Sequence, residues 1–139
     1  MADMTPHTEI RTGHCLCGAT TFEFSGTETW ACYCHCADCR RQTASPVTAF
    51  LGVLLDRFEW TGAQPKIYAS STGVTRSFCG ICGTPMAYQA DHYPGEIHLY
   101  AATLSKPETF SPKFHVQYGE HLPWLNIDDD LPRHAKFAT

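Results

Sequence analysis

Eight cysteines in a chain of 139 residues constrain this fold more than anything else in the sequence, because they are clustered. They stand as Cys15-Leu16-Cys17, as the run CYCHCADC from Cys32 to Cys39, and as Cys79-Gly80-Ile81-Cys82. Cysteines at this density are oxidised, metal-bound or idle. The stretch MADMTPHTEIRTGHC has no apolar signal-peptide core, and no later stretch approaches the roughly 18 apolar residues of a membrane span. A cytoplasmic, reducing setting is therefore expected, and it disfavours disulfides. Cysteine pairs one or two residues apart grip a single ion from two sides, so metal binding is the expectation.

The rest of the chain reads as short strands. With 43% hydrophobic and 17% charged residues, it suits one domain over 1–139, with a core at about 11–127 and both termini as extensions. ATTFEF alternates, with Phe22 and Phe24 on one face, and PVTAFLGVLL is apolar on both faces, as a central strand requires. RFEWTG, KIYAS, GVTRSF, TPMAYQA, EIHLYAATL and KFHVQY are further strand candidates, separated by Gly, Pro, Asp or Ser. One short helix is expected over Ala37 to Gln42, stopped by Ser45-Pro46. The expected fold is mainly β, with little helix and the cysteines on strand connections. A net charge of -4 and the lack of a basic face exclude nucleic acid as a natural partner.

Cysteine arithmetic separates two sites. Cys15, Cys17, Cys79 and Cys82 make four sulfurs, the number for a closed tetrahedral zinc site that ties distant parts of the chain together. Flanking glycines would supply left-handed turns that bring N–H groups to sulfur. Cys34, Cys36 and Cys39 make three, leaving a coordination position open, the mark of a catalytic or substrate-binding zinc. In the alternative, Cys32 or His35 fills the fourth place and the site is structural. On a strand Cys32 would share a face with Cys34, whereas His35 would point elsewhere. His115, His121 and His134 share no ligand spacing and are expected at the surface or core edge. Asp128 to Asp130 reads as a solvated turn, and Trp124 as an anchor for the C-terminal segment. Trp30 and Tyr33 flank the second cluster and either line a pocket or belong to the core.

GHCLCGATTFEF, CHCADCRRQTASP, SFCGICGTPMAY and the ending HLPWLNIDDDLPRHAKF resemble the glutathione-dependent formaldehyde-activating enzymes, a family that includes centromere protein V. The resemblance implies a small zinc-stabilised β-tent fold of short antiparallel strands. It implies one zinc on Cys15, Cys17, Cys79 and Cys82 and a second on Cys34, Cys36 and Cys39. It also implies a carbon-sulfur lyase-type activity, the joining of formaldehyde and glutathione into S-hydroxymethylglutathione. In that chemistry zinc would deprotonate the thiol, and three protein thiolates would leave the site at 2 - 3 = -1. Arg40 and Arg41, just after the last ligand, are candidates to pair with a glutathione carboxylate. His35 is the nearest titratable group for the oxyanion formed at the aldehyde. The chain departs from the family pattern at Ala44, where glycine is frequent, and at the extra Cys32. A zinc-stabilised binding module is the alternative to an enzyme. A methionine sulfoxide reductase-like role is a third reading, with Cys32 the one cysteine free for it.

Overall fold

Short turn-bounded apolar runs can build only short strands, and the computed structural model, which describes residues 9–137, has ten of them and one α-helix. They are β1 (Arg11–His14), β2 (Thr21–Phe24), β3 (Trp30–Cys34), β4 (Thr48–Leu54), β5 (Phe58–Trp60), β6 (Lys66–Ser71), β7 (Val74–Phe78), β8 (Pro85–Ala90), β9 (Glu96–Tyr100) and β10 (Phe114–Val116). The helix α1 (Ala37–Thr43) lies between β3 and β4. The mainly β architecture expected from the sequence therefore forms. The expected N-terminal extension falls outside the described residues at 1–8, as do residues 138–139. No helix among the described residues is long and apolar enough to cross a membrane.

A three-stranded sheet runs β1-β2-β5 and a seven-stranded sheet runs β10-β3-β4-β9-β8-β7-β6. The main core fills the space between them. Phe22 and Phe24 reach in from β2 and meet Leu51 and Val53 of β4, Met86 of β8, and Ile97 and Leu99 of β9. Each of these side chains contributes roughly 1.5–3 kcal/mol on full burial. The other face of the large sheet carries a second cluster, in which Cys32, Cys34 and Cys39 pack with Phe50, Tyr100 and Val116. β4 thus lies between two apolar layers, which explains why its sequence does not alternate.

Several expectations change. β1 carries too few apolar residues to stand out in sequence, and β3 is hidden within the cysteine run; pairing creates both. Cys32 and Cys34 lie within β3 and Cys39 within α1, so not all cysteines occupy connections. β9 ends at Tyr100 and a 3-10 turn follows at Ala101–Thr103, which turns Leu104 back into the core. All paired strands are antiparallel except β10, which runs parallel to β3. Trp124 is 71% exposed and anchors nothing. The C-terminal segment is held by backbone instead: His115 N–H donates to Pro132 O at 2.8 Å, and Gln117 N–H to Lys136 O at 2.7 Å. Asp129 turns inward, accepting from His115 Nε2 at 3.0 Å and from Arg133 Nη1 at 2.8 Å. Although partial desolvation pushes the Asp129 carboxyl up, these bonds hold it down at about 2.

Candidate functional site

The β1–β2 turn carries Cys15 and Cys17, and the β7–β8 turn carries Cys79 and Cys82. Their four sulfurs lie within 4.8 Å of one another. Cys15 Sγ is 3.6 Å from Cys17 Sγ, which is 3.8 Å from Cys79 Sγ. A tetrahedron with zinc–sulfur bonds of about 2.3 Å has edges of about 3.8 Å, so the set fits zinc. The turns are shaped for it. Gly18 and Gly83 both have φ of 82°, a region that favours glycine. Thr20 N–H donates to Cys15 Sγ at 3.3 Å, while Ile81 and Cys82 N–H donate to Cys79 Sγ at 3.3 and 3.4 Å. Such donors stabilise thiolate. The Cys82 N–H first, then Thr20 and other donors, bring Cys79 down to about 7, and Thr84 leads the interactions that bring Cys82 to about 5.

At the other site β3 presents Cys34, the next turn supplies Cys36, and α1 supplies Cys39; their sulfurs also lie within 4.8 Å of one another. Cys36 caps the helix by accepting from Cys39 N–H at 3.2 Å. Cys32 does not join them as a ligand. It is 0% exposed, packed between β10 and β4, and burial pushes its thiol up to about 12. A neutral, inaccessible thiol is the opposite of what a reductase-like reading requires. Among the described residues, the second cluster is therefore a set of three.

The largest omission of sequence reasoning is Arg76. Only 4% exposed, it donates from Nη1 to Cys39 Sγ at 3.6 Å and to Tyr100 Oη at 3.3 Å, and from Nε to Ser70 Oγ at 3.1 Å. Its guanidinium also lies over the Tyr88 ring, 5.1 Å from the centroid. Thiol donors Cys34 and Cys36 first, with Arg76 beside them, pull Cys39 down to about 3. Hydrogen bonding within the triad pushes Cys34 in the opposite direction. One negative charge thus rests on the set beside one buried cation. The only hint in sequence is a charge in the strand phase of Val74.

His35 and the helix arginines stand elsewhere than expected. His35 is 3% exposed and does not line the cavity beside the triad. Asp129 accepts from His115 Nε2, and this sets the tautomer in which His115 Nδ1 accepts from His35 Nε2 at 2.8 Å. His35 Nδ1 is left buried without a partner. Burial first, then His115, pushes His35 down to about 4. His115, expected at the surface or core edge, is fully buried as the middle of this chain. His121 and His134 are partly exposed. Arg40 donates to His35 O at 2.7 Å and to Glu120 O, fixing the ligand turn rather than facing a ligand. Arg41 is exposed on α1. Tyr33 packs at a tilt against His115, whereas Trp30 lines the cavity.

That cavity, about 290 Å³, is bounded by Cys34, Cys36, Cys39 and Arg76 on one side and by aromatic residues on the other. A larger cleft of about 620 Å³ beside β1 contains no cysteine, and its Arg11 pairs with Glu28 at 2.9 Å. Thiol chemistry has its residues in the smaller one.

The family model of the glutathione-dependent formaldehyde-activating enzyme matches residues 10–120, a span that includes all eight cysteines. No curated protein matches the chain. A Rhodobacter sphaeroides protein of known crystal structure is similar in fold, with a TM-score of 0.57 and 24% identity, covering 68% of this chain and 87% of its own.

Proposed function

Because the chain belongs to the glutathione-dependent formaldehyde-activating enzyme family, we propose that it joins a thiol to an aldehyde reversibly, as glutathione and formaldehyde give S-hydroxymethylglutathione, using zinc held by Cys34, Cys36 and Cys39. A second zinc on Cys15, Cys17, Cys79 and Cys82 holds the fold, and residues 1–139 act as one domain. The observation that carries the reading is a triad of thiols without a fourth protein ligand, bordering a cavity beside a buried arginine. Bound there, zinc would lower the pKa of an incoming thiol, ordinarily near 8.5, and supply thiolate at neutral pH.

The chain's own groups do the rest. Arg76 offsets the negative charge of the triad. Burial first, then Cys39, pushes Tyr88 up to about 12, so its hydroxyl stays protonated in the cavity wall and can donate to the oxyanion formed at the aldehyde. Tyr88 thereby takes the part that the sequence offered to His35, which instead braces the ligand turn from behind. Arg41, exposed on α1, remains a partner for a glutathione carboxylate.

Two measurements test this. Metal analysis should return two zinc ions per chain, for wild type and for Cys32→Ser; a Cys32→Ser protein with one zinc would mean a closed second site. Two-dimensional exchange NMR should show faster interconversion of glutathione plus formaldehyde with their adduct. No acceleration by fully zinc-loaded protein would remove the enzymatic reading and favour a binding module.

A further inference from the structure

The wall facing the triad is built as a continuous row across the large sheet. Register places Trp30 beside Gly52, Gly52 beside His98, His98 beside Tyr88, and Tyr88 beside Arg76. Gly52 is what makes room for the indole within the row. A Cβ there would collide with the Trp30 indole and the Thr29 hydroxyl, so its absence lets the indole lie across the strand. Trp30 Nε1 donates to His98 Nδ1 at 3.1 Å, and His98 Nε2 donates to Glu96 at 2.9 Å, so the buried polar atoms of this wall are satisfied internally. Tyr93 closes over the row, with ring centroids 5.0 Å from Trp30 and 4.6 Å from His98.

Formaldehyde would leave most of this surface bare, and the carboxylates of glutathione find no place on it. Formaldehyde has two heavy atoms and, at about 30 Å³ per water-sized group, would fill roughly a fifth of the cavity. Glutathione is large enough, but its two carboxylates would find one lining cation among the described residues, Arg76, already engaged by Cys39, Tyr100 and Ser70. The other charged lining groups, Asp38 and Glu120, are acidic. An aromatic group packs well among such tilted rings.

We infer that the aldehyde handled at this site carries an aromatic group, seated against Trp30 and Tyr93, while a charged thiol keeps its carboxylates outside the cavity, where Arg41 of α1 is exposed. The inference rests on the thiol–aldehyde reading and specifies its carbon partner. The step is the same addition: the S–H bond breaks, the S–C bond forms, the carbonyl electron pair moves to oxygen, and that oxygen takes a proton. Nothing is oxidised or reduced.

The test uses zinc-loaded full-length protein and two unreactive thioethers, S-benzylglutathione and S-methylglutathione, compared by titration calorimetry. Wild type should bind the benzyl compound at least 10-fold more tightly. That gap should shrink to within about twofold in Trp30→Ala, and in Tyr93→Ala, a turn position whose replacement leaves the sheet intact. Exchange NMR with glutathione should then show acceleration for benzaldehyde at least equal to that for formaldehyde. Equal binding of the two thioethers, binding of neither, or acceleration with formaldehyde alone would overturn this inference and leave the thiol–aldehyde reading standing. Acceleration with neither aldehyde would overturn both.

Discussion

Replacing Arg76 by methionine keeps much of the side-chain volume but removes the one buried positive charge beside the three-cysteine site. At the observed 3.6 Å between Arg76 Nη1 and Cys39 Sγ, two unit charges in an effective dielectric near 20 interact by about 4–5 kcal/mol. Because Cys39 is already held low beside Arg76 without metal, this attraction exists before zinc binds as well as after, so its loss acts on the stability of the fold rather than on zinc affinity. Tyr100 Oη and Ser70 Oγ also lose their donor, and breaking a buried pair of this kind costs about 3–5 kcal/mol. The assay is denaturant unfolding, read beside zinc release to a chromophoric chelator. Arg76→Met should lose about 3–5 kcal/mol of stability while neither release phase weakens. Arg76→Lys, which keeps the charge but not the fork, should lose less. If Arg76→Met is as stable as wild type, the charge of Arg76 does not support this site and the electrostatic argument fails.

The two clusters should respond differently to ligand loss. A link across the 62 residues between Cys17 and Cys79 restricts the unfolded chain by about 4.3 kcal/mol, whereas one across the five between Cys34 and Cys39 restricts it by about 2 kcal/mol. Cys82→Ser should therefore give molten or insoluble protein, while Cys36→Ser keeps a native circular dichroism spectrum and loses one zinc; a well-folded Cys82→Ser protein would contradict this. Ala44, the residue where the family often has glycine, sits at the end of α1 with φ of 55° and ψ of 33°, so Ala44→Gly should raise stability by about 1 kcal/mol. That is roughly 3 °C in Tm, and a lower Tm would refute the strain. Stability should also fall on acidification between about pH 6.5 and 4. Unfolded His35 takes a proton there that folded His35, at about 4, does not, and stability therefore rises with pH across this window. The slope should be shallower in His35→Gln by denaturant titration, and equal slopes would rule out His35 as its source.

The legible part of this protein was the part in which the relevant residues are close in sequence. CxC, CxxC and CxCxxC place sulfurs within a few residues of one another, so local backbone geometry alone forms each pair and the triad, whereas tertiary structure joins Cys15 and Cys17 to Cys79 and Cys82 across 62 residues. Phe22 and Phe24 share a face because strands have a period of two, and the turn glycines at positions 18 and 83 follow from what the ligand loops require. Tertiary structure decided everything that depends on which strands become neighbours. Arg76 reaches Cys39 across 37 residues, and His35 reaches His115 across 80, through pairing and packing that no local pattern encodes. The same holds for Trp124, whose size suggested burial but which stays largely exposed. Even Arg40, adjacent to a ligand, was redirected by a carbonyl supplied from residue 120. Ligand identity is a local property of the chain, while the charge, shape and wall of the site are sums over distant segments that only the completed sheet brings together.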